Sequence, residues 1–497
     1  MEFFINFPFF SIVMSLVCAA VSSVLKHKAA RILCFCSNIA AIVLSACTLV
    51  LTVTTGSAYS YRMGHFDAPW GNMIRFGPLE SFLAVFFCMI LLLSVRGGLK
   101  HLYDDNDEYK LNYYFALINL LQAAILALLY TDDVFTAYVF IEICTLASTG
   151  ILMIRQVGRT TVAAVRYLIF NLLGSGLFLI GIIILYDITG HLLIPNIAES
   201  VTNLVANGEY PVPLLISASL ITLGLAVKSG LFPFCYWMPD TYGYATTASS
   251  SIISGIVSKI YIFTSIKMLY RVMGASYATQ SHITDVLFVF GLAGMIIGSL
   301  HAIREKNINR MVAFSSAAQI GYIYAIGLGT EAGLAAAVFH MMTHALTKPL
   351  LFTAADGLID AVGNRKDFAS LRGSAHLNRL AGIGFTVGSL SMVGLPAFSG
   401  FVSKLLIAEA STNVAGKMLA TLIVLSVSTI LNAVYFLHTV ITIYTPRTPD
   451  LPVYGVMKNR KGLFAVYACF IAAILLLGLH PQPVLNILSS GITLFVK

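Results

Sequence analysis

Residues 225–239 read Leu-Ala-Val-Lys-Ser-Gly-Leu-Phe-Pro-Phe-Cys-Tyr-Trp-Met-Pro. An apolar run carries a lysine, Lys228, and is then interrupted by Gly230, Pro233 and Pro239. Proline removes a helical donor and clashes with the preceding turn, so the run reads as a broken helix. In a membrane, unwound backbone is tolerated only inside protein or beside water. A lone charge at the bilayer centre costs about 2.5–3.5 kcal/mol on insertion scales. Lys228 therefore faces a protein interior, and an intramembrane charge of this kind marks an ion or proton path by default.

The rest of the chain extends this reading. Of 497 residues, 58% are hydrophobic and 10% are charged, and the mean hydropathy is +0.86. Soluble domains carry about 25% charged residues, so a large soluble domain is excluded. Apolar runs of about 20 residues fit helices crossing a core of about 30 Å. The alternation of an outer-membrane barrel is absent. The expected fold is an all-α integral membrane protein of fourteen spans, with a single polytopic domain over residues 1–497. The spans begin near Phe3, Arg31, Leu79, Leu111, Val134, Thr161, Val212, Ala245, Asp285, Arg310, Glu331, Leu380, Lys417 and Leu463. The tail from Val484 to Val496 is apolar but short and reads as interfacial.

Charge placement sets the orientation. Of 30 lysines and arginines, 20 fall in the odd-numbered loops. They include Arg96, Lys100, Arg155, Arg304, Arg310, Arg365, Lys366, Arg447, Lys458 and Arg460. The even loops and C-terminus hold Arg62, Arg75, Lys267, Arg271, Lys417 and Lys497. The positive-inside rule then puts odd loops in the cytoplasm of a cell membrane and both termini outside. Nothing in this balance points to nucleic acid. Lys267 and Arg271 read as side chains that snorkel to the interface. The first apolar run lacks a basic leader and reads as a retained helix. Eight cysteines without a CxxC pair give no zinc or iron–sulfur pattern, and Cys34 and Cys36 read as packing residues. The acidic run from Asp104 to Glu108 reads as a solvated loop.

A second interruption, Gly394-Leu395-Pro396 with Ser399-Gly400, precedes Lys404. Broken spans in corresponding positions of two halves point to inverted repeats. Spans 4–8 (residues 111–275) and 9–13 (285–445) would be those repeats, flanked by spans 1–3 (1–110) and a C-terminal segment (446–497). Three further groups lie deep in apolar runs: Glu142, Lys259 and Lys348. Burial disfavours a charged lysine and a nearby carboxylate favours it, so a lysine with a movable partner exchanges protons near neutral pH. Glu142 is the expected partner of Lys228. His340, His344 and Lys348 recur at i, i+4 and i+8, on one helix face. Histidine suits a proton relay. The same pair suggests a haem-bearing cytochrome as a different class, but a third ligand of suitable type is not evident nearby. Neither a cofactor nor a metal is expected.

These segments together resemble the antiporter-like subunits shared by Mrp-type Na⁺/H⁺ antiporters, respiratory complex I and membrane-bound hydrogenases. The resemblance lies in Lys228–Gly255 with Trp237-Met238-Pro239-Asp240, in Ser315–Tyr322, in His340–Lys348 with Leu351-Phe352, and in Gly394–Lys404. It implies fourteen helices, the 4–8/9–13 repeats, and a central axis that moves protons through Glu142, Lys228, Lys259, His340, His344 and Lys404, with Lys348 secondary. It also implies partner membrane subunits, homologous antiporter-like chains among them, and protons and Na⁺ as the ions handled. Lysines in spans 8 and 12 make the chain more similar to the D-type subunit of Mrp antiporters than to the complex I subunit with glutamate in span 12. A proton- or ion-pumping subunit of a hydrogenase or complex I-like oxidoreductase is the alternative. The chain departs from the family at Cys235, where histidine is usual, at Thr246 and Ala248, where prolines are usual, and at Pro78, where aspartate is frequent.

Overall fold

The computed structural model describes residues 2–66, 71–446 and 461–496. The basic residues Arg447, Lys458, Arg460 and Lys497 of the charge count lie outside the described residues. The chain is nearly all helical. Its first eleven long elements are α1 (Phe7–Val24), α2 (His27–Thr55), α3 (Pro78–Gly97), α4 (Glu108–Tyr130), α5 (Val134–Met153), α6 (Gly158–Thr189), α7 (Pro211–Ser229), α8 (Thr247–Val272), α9 (Ile283–Arg304), α10 (Ile308–Leu328) and α11 (Glu331–Ala361). They are followed by α12 (Arg379–Val393), α13 (Ser399–Thr412), α14 (Ala415–Tyr444), α15 (Gly462–Leu479) and α16 (Gln482–Val496). Among the described residues, 12 helical spans are long and apolar enough to cross a membrane. The expected eleventh span is present as the continuous helix α11, and the expected twelfth is split into α12 and α13.

Both breaks fall where glycine and proline stand. α7 ends at Ser229 with Gly230 at φ +76°, and the chain resumes as short helices over Phe234–Trp237 and Met238–Tyr244. α12 ends at Gly394 with φ +87°, a left-handed conformation that suits glycine. α8 and α10 are the inner helices, and every residue of their apolar windows is buried. Their polar side chains therefore face other helices, not lipid. α14, by contrast, has little of its window buried.

Two loops and the tail, which the sequence reads as interfacial, carry structure of their own. The loop before α3 folds back as a two-stranded antiparallel sheet, β1 (Tyr59–Arg62) with β2 (Met73–Phe76), pairing Tyr59 with Phe76. The loop after α6 contains a helix over Ile194–Asn207, begun at a proline and closed by Gly208. The tail is a docked helix: Leu488, Ile492 and Phe495 of α16 are buried. Gly491 packs so close to α3 that a Cβ there would lie 2.9 Å from the Leu79 nitrogen.

Candidate functional site

α7 places Lys228 in its last turn, fully buried. Gly174 of α6 makes room for it, since a Cβ there would lie 2.9 Å from the lysine Cγ. The ammonium donates to Thr145 Oγ1 of α5 at 2.8 Å and sits 5.2 Å from the centre of the Tyr261 ring of α8. Thr145 and Tyr261 share a further hydrogen bond of 3.1 Å. Glu142, expected to approach Lys228 directly or through one water, makes no direct ion pair with it but lies within electrostatic reach of its ammonium. The reason is the helix face. Thr145 points inward with Ile141, whereas Glu142 is half-exposed on the flank of α5 and its buried Oε1 has no hydrogen-bond partner.

Lys259 is buried in α8 and donates to the Ser254 carbonyl and to Ser258 Oγ, the latter at 3.1 Å. That carbonyl belongs to a π-helical turn over Ile253–Val257. Such turns are frequent at functional sites. Gly255 in this turn abuts Pro349, and a Cβ would lie 2.8 Å from the proline Cγ. α8 and α11 thus touch at the level of their lysines.

α11 brings His340, His344 and Lys348 into the interior on one face, all buried. Lys348 donates to the Val312 carbonyl at 2.8 Å and to Ser315 Oγ, both on α10. His344 has neither ring nitrogen hydrogen-bonded to protein. It lies within electrostatic reach of Lys259, Lys348 and His340. His340 Nδ1 meets Ser403 Oγ of α13 at 2.9 Å, and its ring stacks on Tyr322 at 5.2 Å.

Lys404 is buried in α13 and lies 5.1 Å from the centre of that same Tyr322 ring. Its ammonium donates to the Val393 carbonyl at 2.8 Å and to Thr429 Oγ1 of α14 at 3.2 Å. The sequence predicts an unwound helix around Lys404; the helix is regular there, and the unwound stretch precedes it at Gly394–Phe398. The amine reaches back to the carbonyl that the break frees. The Tyr322 hydroxyl continues the polar contacts to Ser428 (2.8 Å) and Asn432 (3.2 Å), and Asn432 accepts from Tyr435 at 2.6 Å.

The structure therefore gathers Lys228, Lys259, His340, His344, Lys348 and Lys404 in the interior and leaves Glu142 to one side. Thr145 and Tyr261, which the sequence does not single out, and Ser315, Tyr322 and Ser403, which it marks only within longer motifs, contact these groups. Their signal is faint: hydroxyl groups in apolar spans, at helical spacing from a lysine.

A second charged group corrects the snorkelling expectation. Lys267 is buried and donates to the carbonyls of Leu128, Leu129 and Thr131 at 2.8–3.0 Å. Arg271 pairs with the buried Asp132 at 2.8 Å. Arg75 lies 3.6 Å from Glu80 and donates to the Leu494 carbonyl of α16 at 2.6 Å. Burial, then the nearby Arg271, pushes the Arg75 guanidinium below its ordinary value. The docked tail covers this cluster, so the lysine and arginine find protein partners instead of the interface.

Broken helices around a buried axis of lysines and histidines define an antiporter-type membrane subunit. The chain belongs to the NADH:quinone oxidoreductase/Mrp antiporter membrane family, whose model matches residues 131–431. It is 31% identical over 408 residues to the N subunit of NADH-quinone oxidoreductase of Desulforudis audaxviator, covering 82% of this chain and 79% of that one. It is 25% identical over 447 residues to the D subunit of the Na⁺/H⁺ antiporter of Bacillus subtilis, covering 87% and 85%. Its fold matches a chain of the Mrp complex from Dietzia sp. DQ12-45-1b with a TM-score of 0.87 at 22% identity, over 100% of both chains.

Proposed function

We propose that this chain is a proton-translocating subunit of a multisubunit cell-membrane complex, and that the complex is a cation (Na⁺)/H⁺ antiporter of Mrp type in which it serves as the D-type subunit. The observation that carries the reading is the buried set Lys228, Lys259, His344, His340 and Lys404, which runs across α7, α8, α11 and α13 with hydroxyl side chains at its contacts. Titratable groups without fixed counter-charges in a membrane interior accept and release protons. Hydroxyls and water pass them on, because each can donate and accept. Fourteen spans, repeats over spans 4–8 and 9–13, and termini outside complete the proposal.

The 31% identity to a quinone oxidoreductase subunit favours a second reading, an ion-pumping subunit of a complex I-like oxidoreductase or hydrogenase. Proton uptake into inverted vesicles holding the whole complex separates the two. In the first reading an imposed Na⁺ gradient drives uptake without an electron donor. In the second, a donor and a quinone or other acceptor are required. Lys228→Ala is expected to abolish the movement in either case with the complex still assembled. Near-normal flux in that variant would remove the buried axis from the mechanism.

A further inference from the structure

α11 continues beyond the histidines through Phe352 to Asp356, which stands about two turns past Lys348. Asp356 stands on the wall of a polar cavity of about 220 Å³. Lys100, His101, Asp104 and Asp105 face this cavity from the connection between α3 and α4. Arg155 faces it from the end of α5, Asp360 from α11, and Lys366 from the following loop. These segments are the odd loops and adjoining helix ends, the side that the basic residues assign to the cytoplasm.

Most of these charges are already matched. Asp104 lies 3.4 Å from Lys100, Asp105 lies 3.4 Å from Arg155, and Asp360 lies 3.3 Å from Lys100 and 3.4 Å from His101. Asp356 differs. Among the described residues it makes no ion pair; it accepts from the neutral groups Thr247 Oγ1 and Asn309 Nδ2, the latter at 3.3 Å. Thr247 is the first residue of α8. Behind it Ser251, Ser254 and Ser258 follow at helical spacing, all buried, and the Ser258 hydroxyl accepts from the Lys259 ammonium at 3.1 Å. The Ser251 hydroxyl has no protein partner. Buried hydroxyls of this kind are satisfied by ordered water. A carboxylate at an open cavity is thus joined to an intramembrane lysine by one polar edge of one helix.

We propose that Asp356 is a proton-collecting port: its carboxylate takes a proton from the cavity and passes it by way of the Thr247, Ser251 and Ser258 hydroxyls, with intervening water, to neutral Lys259. Each transfer leaves the carboxylate free again, so one proton enters for each one delivered and no other reactant is needed. The inference rests on the proton-translocating reading above.

The test is proton flux in inverted vesicles carrying the whole complex, at about pH 6 and about pH 8.5, on either side of neutrality. A positioned proton-transfer group contributes about 10²–10⁴-fold, and bulk hydronium replaces part of this when abundant. Asp356→Asn is therefore expected to lower flux about tenfold at the higher pH and less than about twofold at the lower, with Asp356→Glu restoring the wild-type profile. Equal fractional loss at both pH values would make Asp356 a structural acceptor and overturn the port, as would no loss at either. If Asp356→Asn fails to assemble on a native gel, Thr247→Val decides: the same pH-steepened loss supports the port, and a uniform loss or none overturns it. Lys228→Ala serves as the reference. If it blocks flux while Asp356→Asn keeps the wild-type profile, only the port fails; if it conducts normally, the translocation reading itself fails.

Discussion

Lys228 stands in the last turn before its helix breaks and sends its amine sideways to the Thr145 hydroxyl of α5, whereas Lys404 stands beyond its break and turns back to the Val393 carbonyl that the break exposes. Both amines lie over a tyrosine ring, at 5.2 Å from Tyr261 and 5.1 Å from Tyr322. The aromatic face is the common element, attracting the cation through its quadrupole. The anchor is what differs. A carbonyl can only accept, so Val393 favours the protonated form of Lys404 alone. A threonine hydroxyl both donates and accepts, so Thr145 can hold Lys228 in either protonation state. On the proposed reading, the first lysine's anchor serves both protonation states of the amine, and the second's carbonyl serves the ammonium alone.

The comparison can be broken most decisively by removing the amines. Lys228→Ala and Lys404→Ala should each lower proton flux by about 100-fold or more, since each deletes a member of the proposed proton path. Vesicle flux that survives Lys404→Ala at wild-type level would make that lysine a structural cation. Arginine sharpens the contrast, because it hardly deprotonates. Lys404→Arg should keep the charge and the Tyr322 contact yet slow flux about tenfold, read in the same vesicles. Thr145→Val should cost about 1.5–3 kcal/mol, the value of a hydrogen bond to a charged group. Thr429→Val should cost less than about 1 kcal/mol, because Lys404 keeps its carbonyl. Thermal denaturation of the detergent-solubilised complex measures both, and equal losses would erase the proposed difference. The smallest effect belongs to the tyrosine hydroxyls. Tyr322→Phe keeps the ring over Lys404, removes the bonds to Ser428 and Asn432, and should cost about 1 kcal/mol. Tyr261→Phe keeps the ring over Lys228, removes the hydroxyl's contact with Thr145, and should cost no more, by the same measurement.

Much of the site is legible in the chain. Lys228, Lys259, Lys348 and Lys404 stand out because charge in an apolar run has few places to go. The His340–His344–Lys348 face follows from spacing alone. Less legible is each group's counterpart. Glu142 looks like the partner of Lys228 because opposite charges attract, yet a rotation of under one turn along α5 gives that place to Thr145. Lys267 and Arg271 look able to reach the interface. They are instead met by the carbonyl end of α4 and by Asp132, and are roofed by α16, whose docking no local pattern encodes.

Hydrophobic length, charge asymmetry and the glycine–proline interruptions determined by themselves that this is a multi-pass helical membrane protein with broken helices beside buried lysines. They act locally, through the solvation of a side chain and the φ and donor of a residue, and so can be read in order along the chain. Tertiary structure alone decided which lysine meets a hydroxyl and which a carbonyl, which carboxylate faces inward, and that the chain's last helix seals a charged cluster. Those outcomes depend on how helices distant in sequence are rotated against one another, and that rotation is set by close packing, as at Gly174 against Lys228 and Gly255 against Pro349.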